Sequence, residues 1–161
     1  MVKYIPNWIN GKESKAVNNK TFKKINPADG SELFNVARSN KDDIDLAVDT
    51  AFIAQKSWAE IPTVRRGIIL HEIVMAMIKK KDEIAEIVHL ETGKSMNDAF
   101  GETKAAIECG LFYAGEGQRL YAQTTTSGVP NKFASTIRQP VGIAGLIIAA
   151  NTPIANVAWK V

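Results

Sequence analysis

Apolar and polar residues alternate over short stretches near the start of the chain, which predicts strands joined by turns. Three stretches follow this pattern: Tyr4 to Ile9, Thr21 to Ile25 and Glu32 to Arg38. The first ends at Asn10-Gly11, a typical hairpin turn, and the second runs into the turn-forming sequence Asn-Pro-Ala-Asp-Gly at positions 26–30. We therefore expect short strands and turns over residues 1–40.

From Lys41 the apolar residues recur every three or four positions, which predicts helices up to about residue 124. The first helix carries one apolar stripe that should be buried: Ile44, Val48, Ala51 and Trp58. Asn40 and Asp42 are both candidates for its N-cap. Pro62 separates it from a second helix, and a third ends at Gly93, which suits a position with positive φ.

A fourth helix is predicted from Ser95 to about Gln123, because Ser95 and Asp98 have a spacing similar to a capping box. Each glycine in a helix costs about 1 kcal/mol relative to alanine. Four glycines here therefore indicate close packing against a neighbouring element: Gly101, Gly110, Gly115 and Gly117.

The last forty residues predict a loop, two strands and a helix. Thr124 to Asn131 is loop-like, and Phe133 to Arg138 is predicted to be a strand. The apolar run Val141 to Ala150 predicts a second strand, buried between parallel neighbours. Thr152 then precedes Pro153, which predicts a helix with Thr152 as N-cap and Pro153 at its first position.

Asn151 lies between this predicted strand and this predicted helix. Ligands bind at the carboxyl ends of strands in open α/β sheets, and a helix N-terminus adds partial positive charge. An amide N–H there is suited to stabilise an oxyanion that develops on a carbonyl. The alternative is an asparagine that bridges the turn through its own backbone, and local chemistry alone favours this alternative.

Composition restricts the partners and the compartment. The 161 residues are 45% hydrophobic and 23% charged, with a formal net charge of +3, which is too small to indicate nucleic acid binding. The lone Cys109 permits no internal disulfide, which fits a reducing compartment. Residues 1–7 lack the apolar core of a signal peptide, and no apolar run is long enough for a membrane helix. We expect a cytoplasmic protein without a membrane partner.

Other candidate chemistry is weak. Gly142 and Gly145 precede or interrupt the predicted strand, so they do not form a dinucleotide-binding fingerprint. His71 and His89 lie within predicted helices without a paired nucleophile, and no metal-ligand spacing is present in the sequence.

Several motifs, taken in order and spacing, resemble the N-terminal third of the aldehyde dehydrogenase family. They are Trp8-Ile9-Asn10-Gly11-Lys12, Asn26-Pro27-Ala28-Asp29-Gly30, Trp58 with Arg65-Arg66, Glu91-Thr92-Gly93-Lys94, Phe112-Tyr113-Ala114-Gly115, Pro140-Val141-Gly142, and Asn151-Thr152-Pro153 with Trp159-Lys160. The resemblance implies an α/β fold of which this chain forms the N-terminal helical part, with short β-hairpin strands and the first strand of the nucleotide-binding sheet. Within it, residues 125–140 match an oligomerisation-type strand and residues 141–161 match the start of that sheet.

The resemblance also implies a function, which is oxidation of an aldehyde to a carboxylic acid with NAD or NADP. In the family a cysteine attacks the aldehyde, a glutamate activates water, and an asparagine that matches Asn151 is the oxyanion donor. Thr152 and Asn156 match positions near the substrate tunnel. Four residues match the strand end that passes the cofactor: Ile147, Ile148, Ala149 and Ala150. The commoner family pattern has Pro-Trp before the asparagine and an aromatic residue after it, so the tunnel here is expected to be wider at Thr152.

The family's nucleophile, base and nucleotide-binding glycines follow the matched region, and Cys109 does not match the catalytic motif. We therefore expect the 161 residues to be inactive alone. The resemblance also implies that the full-length protein is a homo-oligomer, a dimer or tetramer. Two alternatives remain open at this stage. One is a CoA-acylating member of the family, in which CoA replaces water, and the other is a non-catalytic scaffold or assembly protein.

Overall fold

Five short strands form two small sheets at the start of the chain. A computed structural model describes residues 3–161. Met1 and Val2 belong to the stretch in which we predicted no signal peptide, and they lie outside the described residues. The strands are β1 (Lys3–Ile5), β2 (Asn7–Ile9), β3 (Lys12–Ser14), β4 (Thr21–Ile25) and β5 (Glu32–Ala37). In one sheet β5 lies between β1, which is parallel to it, and β4, which is antiparallel; β2 and β3 pair as a hairpin. The strand predictions are confirmed, with Tyr4–Ile9 divided in two at Pro6, which has no N–H to donate.

The turn at positions 26–30 is held by its own side chains. The Asn26 side chain is buried and accepts a hydrogen bond from the Ala28 N–H at 2.9 Å. Asp29 accepts from both the hydroxyl and the N–H of Ser31, and these bonds hold the pKa of Asp29 below its usual value. Side-chain capping of this kind fixes the turn locally.

Five helices follow. They are α1 (Lys41–Glu60), α2 (Thr63–Lys79), α3 (Lys81–Thr92), α4 (Met96–Ala114) and α5 (Pro153–Lys160). Asn40 is the N-cap of α1 and forms a capping box with Asp43, and Gly93 ends α3 with φ 72°. The helix boundaries at Pro62 and Gly93 are therefore confirmed. Within residues 3–161, no helix is both long enough and apolar enough to cross a membrane.

Helix α4 lies at the centre of the helical layer and packs against α2, α3 and α5. The core around it consists mainly of small apolar residues: Val74, Ala85, Val88, Ala99, Ala106, Ile107 and Ala155. A Cβ on Gly110 would lie 2.6 Å from Val74 Cγ2, and a Cβ on Gly117 would lie 2.3 Å from the Thr63 carbonyl oxygen. The close packing predicted from the glycines is confirmed there, but not at Gly101, where a Cβ would meet open space.

The apolar stripe of α1 is largely exposed, which contradicts the prediction that it is buried. Ile44, Val48 and Trp58 are exposed, and the buried residue of this helix is Asp43. The Asp43 carboxylate accepts hydrogen bonds from the backbone N–H groups of Val17 and Asn40, both at 2.9 Å. The stripe is exposed because α1 packs against β2 and does not enter the helical layer around α4.

The fourth helix is shorter than predicted, and the predicted loop after it contains a strand. Helix α4 ends at Ala114, a 3₁₀ turn covers Gly115–Gln118, and β6 (Thr124–Thr126) pairs antiparallel with β7 (Phe133–Ser135). The early end follows from Gly117, whose backbone approaches Thr63 and whose carbonyl accepts a hydrogen bond from Thr63 Oγ1 at 2.9 Å.

The predicted strand Val141–Ala150 is wrong for the part of the chain that the structure describes. These residues have no regular secondary structure and are mostly exposed. A strand is defined by hydrogen bonds to a neighbour, and residues 3–161 contain no strand that pairs with this segment. The apolar composition of this segment suits a buried strand, but composition does not specify which strand would pair with it.

Candidate active site

Asn151 lies in the turn just before α5, and its side chain is exposed. Within residues 3–161 its amide takes part in no hydrogen bond, whereas its neighbours in the turn are bonded to one another. The alternative interpretation, in which the amide bridges the turn, is therefore not what the structure shows. The amide N–H group is left free to donate to a bound molecule.

Thr152 and Asn156 are brought together across the first turn of α5. The Asn156 side chain is buried, and its amide nitrogen donates to Thr152 Oγ1 at 2.7 Å and to the Thr152 carbonyl oxygen at 3.0 Å. Thr152 is the N-cap residue and Pro153 opens the helix, as predicted. The expected side-chain cap is absent, however: the threonine hydroxyl accepts from Asn156 and bonds none of the helix N–H groups.

Glu102 of helix α4 caps α5 in place of Thr152. Its Oε1 accepts hydrogen bonds from the N–H groups of Ile154 at 3.0 Å and Ala155 at 3.2 Å. Its other oxygen, Oε2, is paired with the ammonium of Lys94. Glu102 is only 9% exposed, so the carboxylate lies within the packed interface between α4 and α5.

Sequence reasoning missed this carboxylate, although a signal was present. Glu102 lies on the buried face of α4 with Ala99 and Ala106, and a glutamate in such a face requires a partner. Helix α5 has no acidic residue in its own first turn. The partial positive charge expected at the α5 N-terminus is met by the Glu102 carboxylate, which occupies that end of the helix.

Residues 147–150 run past the turn as an exposed segment. Ile147 is 87% exposed, Ile148 is half-buried, and Ala149 and Ala150 are exposed. The ammonium of Lys160, at the end of α5, donates to the carbonyl oxygen of Ile147. The segment offers apolar side chains and backbone groups to a ligand, and no side-chain oxygen or nitrogen.

The remaining candidates lie elsewhere. Cys109 is half-buried in α4, with Sγ 3.7 Å from the carbonyl oxygen of Ala158. His89 Nδ1 contacts the Lys94 carbonyl oxygen, so that nitrogen carries the proton, while His71 is exposed on α2. In residues 3–161, no three side chains of His, Cys, Asp or Glu are grouped as metal ligands would be.

Comparison with known proteins identifies the family. A sequence model described as the aldehyde dehydrogenase family matches residues 14–161. The chain belongs to the aldehyde dehydrogenase family. It is similar to an alpha-ketoglutarate semialdehyde dehydrogenase of Haloferax volcanii, with 35% identity over 155 residues, and to a malonate-semialdehyde dehydrogenase of Halalkalibacterium halodurans, with 33% identity over 155 residues. Both matches cover 96% of this chain and 32% of the relative, so the chain spans about a third of the length of these aldehyde dehydrogenases.

Solved structures agree with the family and the fold. An NADP dependent enzyme of E. coli superposes with a TM-score of 0.94 at 30% identity, over 98% of this chain and 33% of that protein. An aldehyde dehydrogenase of Brucella melitensis gives 0.91 at 32% identity, over 94% and 32%. A Sinorhizobium meliloti protein complexed with NAD gives 0.91 at 29% identity, over 99% and 32%. The predicted aldehyde dehydrogenase-like α/β fold is confirmed, apart from the strand at 141–150.

Proposed function

We propose that these residues form the oxyanion-donor part of an enzyme that oxidises an aldehyde to a carboxylic acid with NAD or NADP. The observation that carries the proposal is the Asn151 amide, which is exposed in the turn before α5 and makes no hydrogen bond within residues 3–161. Family membership supplies the reaction class. A donor left free by its own turn is available to the charge that develops on a substrate.

The donor acts when a nucleophile adds to the aldehyde carbon. Negative charge then develops on the carbonyl oxygen, and the Asn151 N–H group stabilises it by a charge-assisted hydrogen bond. An amide is suited to this task because it donates without losing a proton over the physiological pH range. Thr152 and Asn156, bonded to each other, form the wall next to the donor, where we propose that the substrate enters.

The exposed segment 147–150 fits part of a nicotinamide cofactor. Its apolar side chains and backbone groups suit the uncharged face of such a molecule, and it contains no cation for the phosphates. When bound, the cofactor accepts the hydride that leaves the aldehyde carbon. Similarity to an NADP dependent enzyme and to a protein complexed with NAD supports a cofactor of this class without choosing between the two.

We also propose that the β6–β7 hairpin contributes to assembly of a homo-oligomer. Phe133 of β7 is 78% exposed, and Ile137, two residues after the strand, is 81% exposed, so the hairpin and the segment after it carry exposed apolar side chains. Exposed apolar groups of this kind mark surfaces that become buried in an assembly.

Kinetics of Asn151 variants of the full-length protein test the proposed donor. We expect Asn151→Ala to lower kcat by about 100- to 1,000-fold, because one oxyanion donor is lost. Asn151→Asp, which keeps the shape and replaces the donor with an anion, should lose at least as much. Asn97→Ala, at an exposed asparagine of α4, is the matched control and should leave kcat unchanged.

The 161-residue polypeptide should have no activity in the same assay, because its only cysteine, Cys109, packs against α5. An Asn151→Ala variant with undiminished kcat would show that the amide is not the donor.

A further inference from the structure

We propose that Glu102, held by Lys94, is a positioning residue that sets the position of the Asn151 backbone, and so of its side chain, through the first turn of α5. This proposal rests on the proposed function, in which Asn151 is the donor. Glu102 touches neither substrate nor cofactor in that scheme. It acts on the backbone three residues beyond Asn151.

The first step is that α5 depends on Glu102 for its start. The helix has eight residues, which is too short to be stable by itself. The first N–H groups of a helix need acceptors, and here no side chain of α5 supplies one to them. Glu102 Oε1 accepts from two of these groups, Ile154 and Ala155, and so fixes where the helix begins.

The second step connects the start of α5 to Asn151. Only Thr152 and Pro153 separate Asn151 from Ile154, and the proline ring fixes one of the intervening dihedral angles. The Asn156 side-chain amide donates hydrogen bonds to both the hydroxyl and the carbonyl oxygen of Thr152. With so few free angles, a displacement of the bonded amides is passed directly to the Asn151 backbone.

The third step is that Glu102 is itself held rigidly. Its second oxygen is paired with Lys94, which follows Gly93, the left-handed residue at the end of α3. The Lys94 backbone is fixed at both ends: its N–H donates to Thr92 Oγ1 at 3.3 Å, and its carbonyl accepts from His89 Nδ1. The Glu91-Thr92-Gly93-Lys94 motif therefore places the Lys94 ammonium beside the buried Glu102 carboxylate.

The reach of the acceptor, more than its charge, should matter for this role. Glu102→Gln keeps an oxygen at the same distance from Ile154 and Ala155 but turns its NH2 group toward Lys94, so it keeps the cap and loses the ion pair. Glu102→Asp keeps the charge but is one methylene too short to reach the two N–H groups. A residue that merely stabilises the fold would not affect the reaction through Asn151. The dependence on Asn151 therefore distinguishes positioning from general stabilisation.

The test uses Glu102→Asp, Glu102→Gln and Glu102→Ala in the full-length protein, each with Asn151 and with Asn151→Ala. We expect Glu102→Asp and Glu102→Ala to lower kcat by about 10- to 100-fold with little change in KM, because the donor is misdirected in the transition state. Glu102→Gln keeps the cap but loses the pair with Lys94, so it should lower kcat clearly less than Glu102→Asp does. In the Asn151→Ala background, all three should have no further effect on kcat.

Glu108→Ala is the matched control, because Glu108 is a glutamate of the same helix whose pairing with Lys104 is exposed to solvent. Amide hydrogen exchange over residues 150–157 is the second measurement. Exchange at Ile154 and Ala155 should accelerate at least tenfold in Glu102→Asp and stay near the parent rate in Glu102→Gln. Should Glu102→Ala fail to fold, the Asp and Gln variants still give both comparisons.

The proposal is overturned if Glu102→Asp lowers kcat equally with and without Asn151, or if it leaves kcat unchanged. Unchanged exchange at Ile154 and Ala155 would also overturn it, whatever the kinetics. Failure of the proposed function looks different: Asn151→Ala alone would then leave kcat unchanged, while the exchange measurement would still report whether Glu102 holds the turn.

Discussion

At the scale of single residues, the turn before α5 separates side chains that hold it from one that does not. Thr152, Asn156 and Glu102 supply its hydrogen bonds, and Asn151 is left without one among the described residues. In a tight turn a polar side chain normally bonds nearby backbone. An asparagine that is spared from this task is available for a ligand.

Thr152→Phe tests whether this residue controls which aldehydes reach Asn151. In the full-length protein we expect kcat/KM for bulky aldehydes to fall about tenfold or more relative to short ones, since a ring replaces a small side chain beside Asn151. The measurement is kcat/KM across a series of aldehydes of increasing size.

Thr152→Val is the control for that series. Valine has nearly the shape of threonine but lacks the hydroxyl that accepts from Asn156 at 2.7 Å. It should leave the order of preference unchanged, even if it lowers stability. Equal relative kcat/KM values for the phenylalanine variant and the parent would exclude Thr152 as a determinant of size.

At the scale of elements, helix α4 combines a close contact with an open position of the same residue type. Gly110 faces Val74 on α2, whereas Gly101 faces open space. The helix-propensity cost of glycine is the same at both. Packing alone therefore decides whether replacing the glycine with alanine raises or lowers the free energy of unfolding.

Gly110→Ala and Gly101→Ala form a matched pair for this point. We expect Gly110→Ala to destabilise the protein by about 1–3 kcal/mol, because the new Cβ would lie 2.6 Å from Val74 Cγ2 and force the helices apart. Gly101→Ala should stabilise it by about 0.5–1 kcal/mol through propensity. Urea unfolding measures both, and equal effects in the two variants would contradict the packing argument.

Elements with local causes were predictable from the sequence, and elements with distant causes were not. Asn40, Pro62 and Gly93 mark helix boundaries by their own chemistry, and the structure has boundaries there. The segment 141–150 has the composition of a buried strand, yet pairing depends on a partner that composition does not specify. Likewise, the stripe on α1 predicts a helix correctly, but which elements surround it is a matter of tertiary structure.

At the scale of the whole molecule, the strand layer and the helical layer are joined where α3 ends. Gly93 approaches Pro27 of the Asn-Pro-Ala-Asp-Gly turn, and Nζ of Lys24 on β4 lies 3.8 Å from Oε2 of Glu91. Lys94, the residue after Gly93, pairs with Glu102, and Glu102 in turn accepts a hydrogen bond from Ile154 in the first turn of α5, close to Asn151. The partners of Glu102 could not be predicted from sequence spacing, because they lie 8, 52 and 53 positions away.

Gly93→Ala should weaken this junction, with Gly30→Ala as the matched control. Both glycines have positive φ, 72° and 77°, so each alanine costs about 1–2 kcal/mol in backbone strain. Only at Gly93 would the added Cβ also lie 3.0 Å from Pro27 Cγ. We expect the larger loss of unfolding free energy for Gly93→Ala, measured by urea denaturation, together with a lower kcat from displacement of Lys94. Equal losses in the two variants would show that the layers are not coupled here.

The sequence separation between Glu102 and α5 also orders events during synthesis. Fifty-two residues separate the carboxylate from the Ile154 amide that it caps. At ribosomal speeds this distance takes about 3–10 s to translate, whereas a helix forms within about a microsecond. Helices α3 and α4 therefore have time to form before the turn of Asn151 leaves the ribosome, so this turn folds beside helices that already exist.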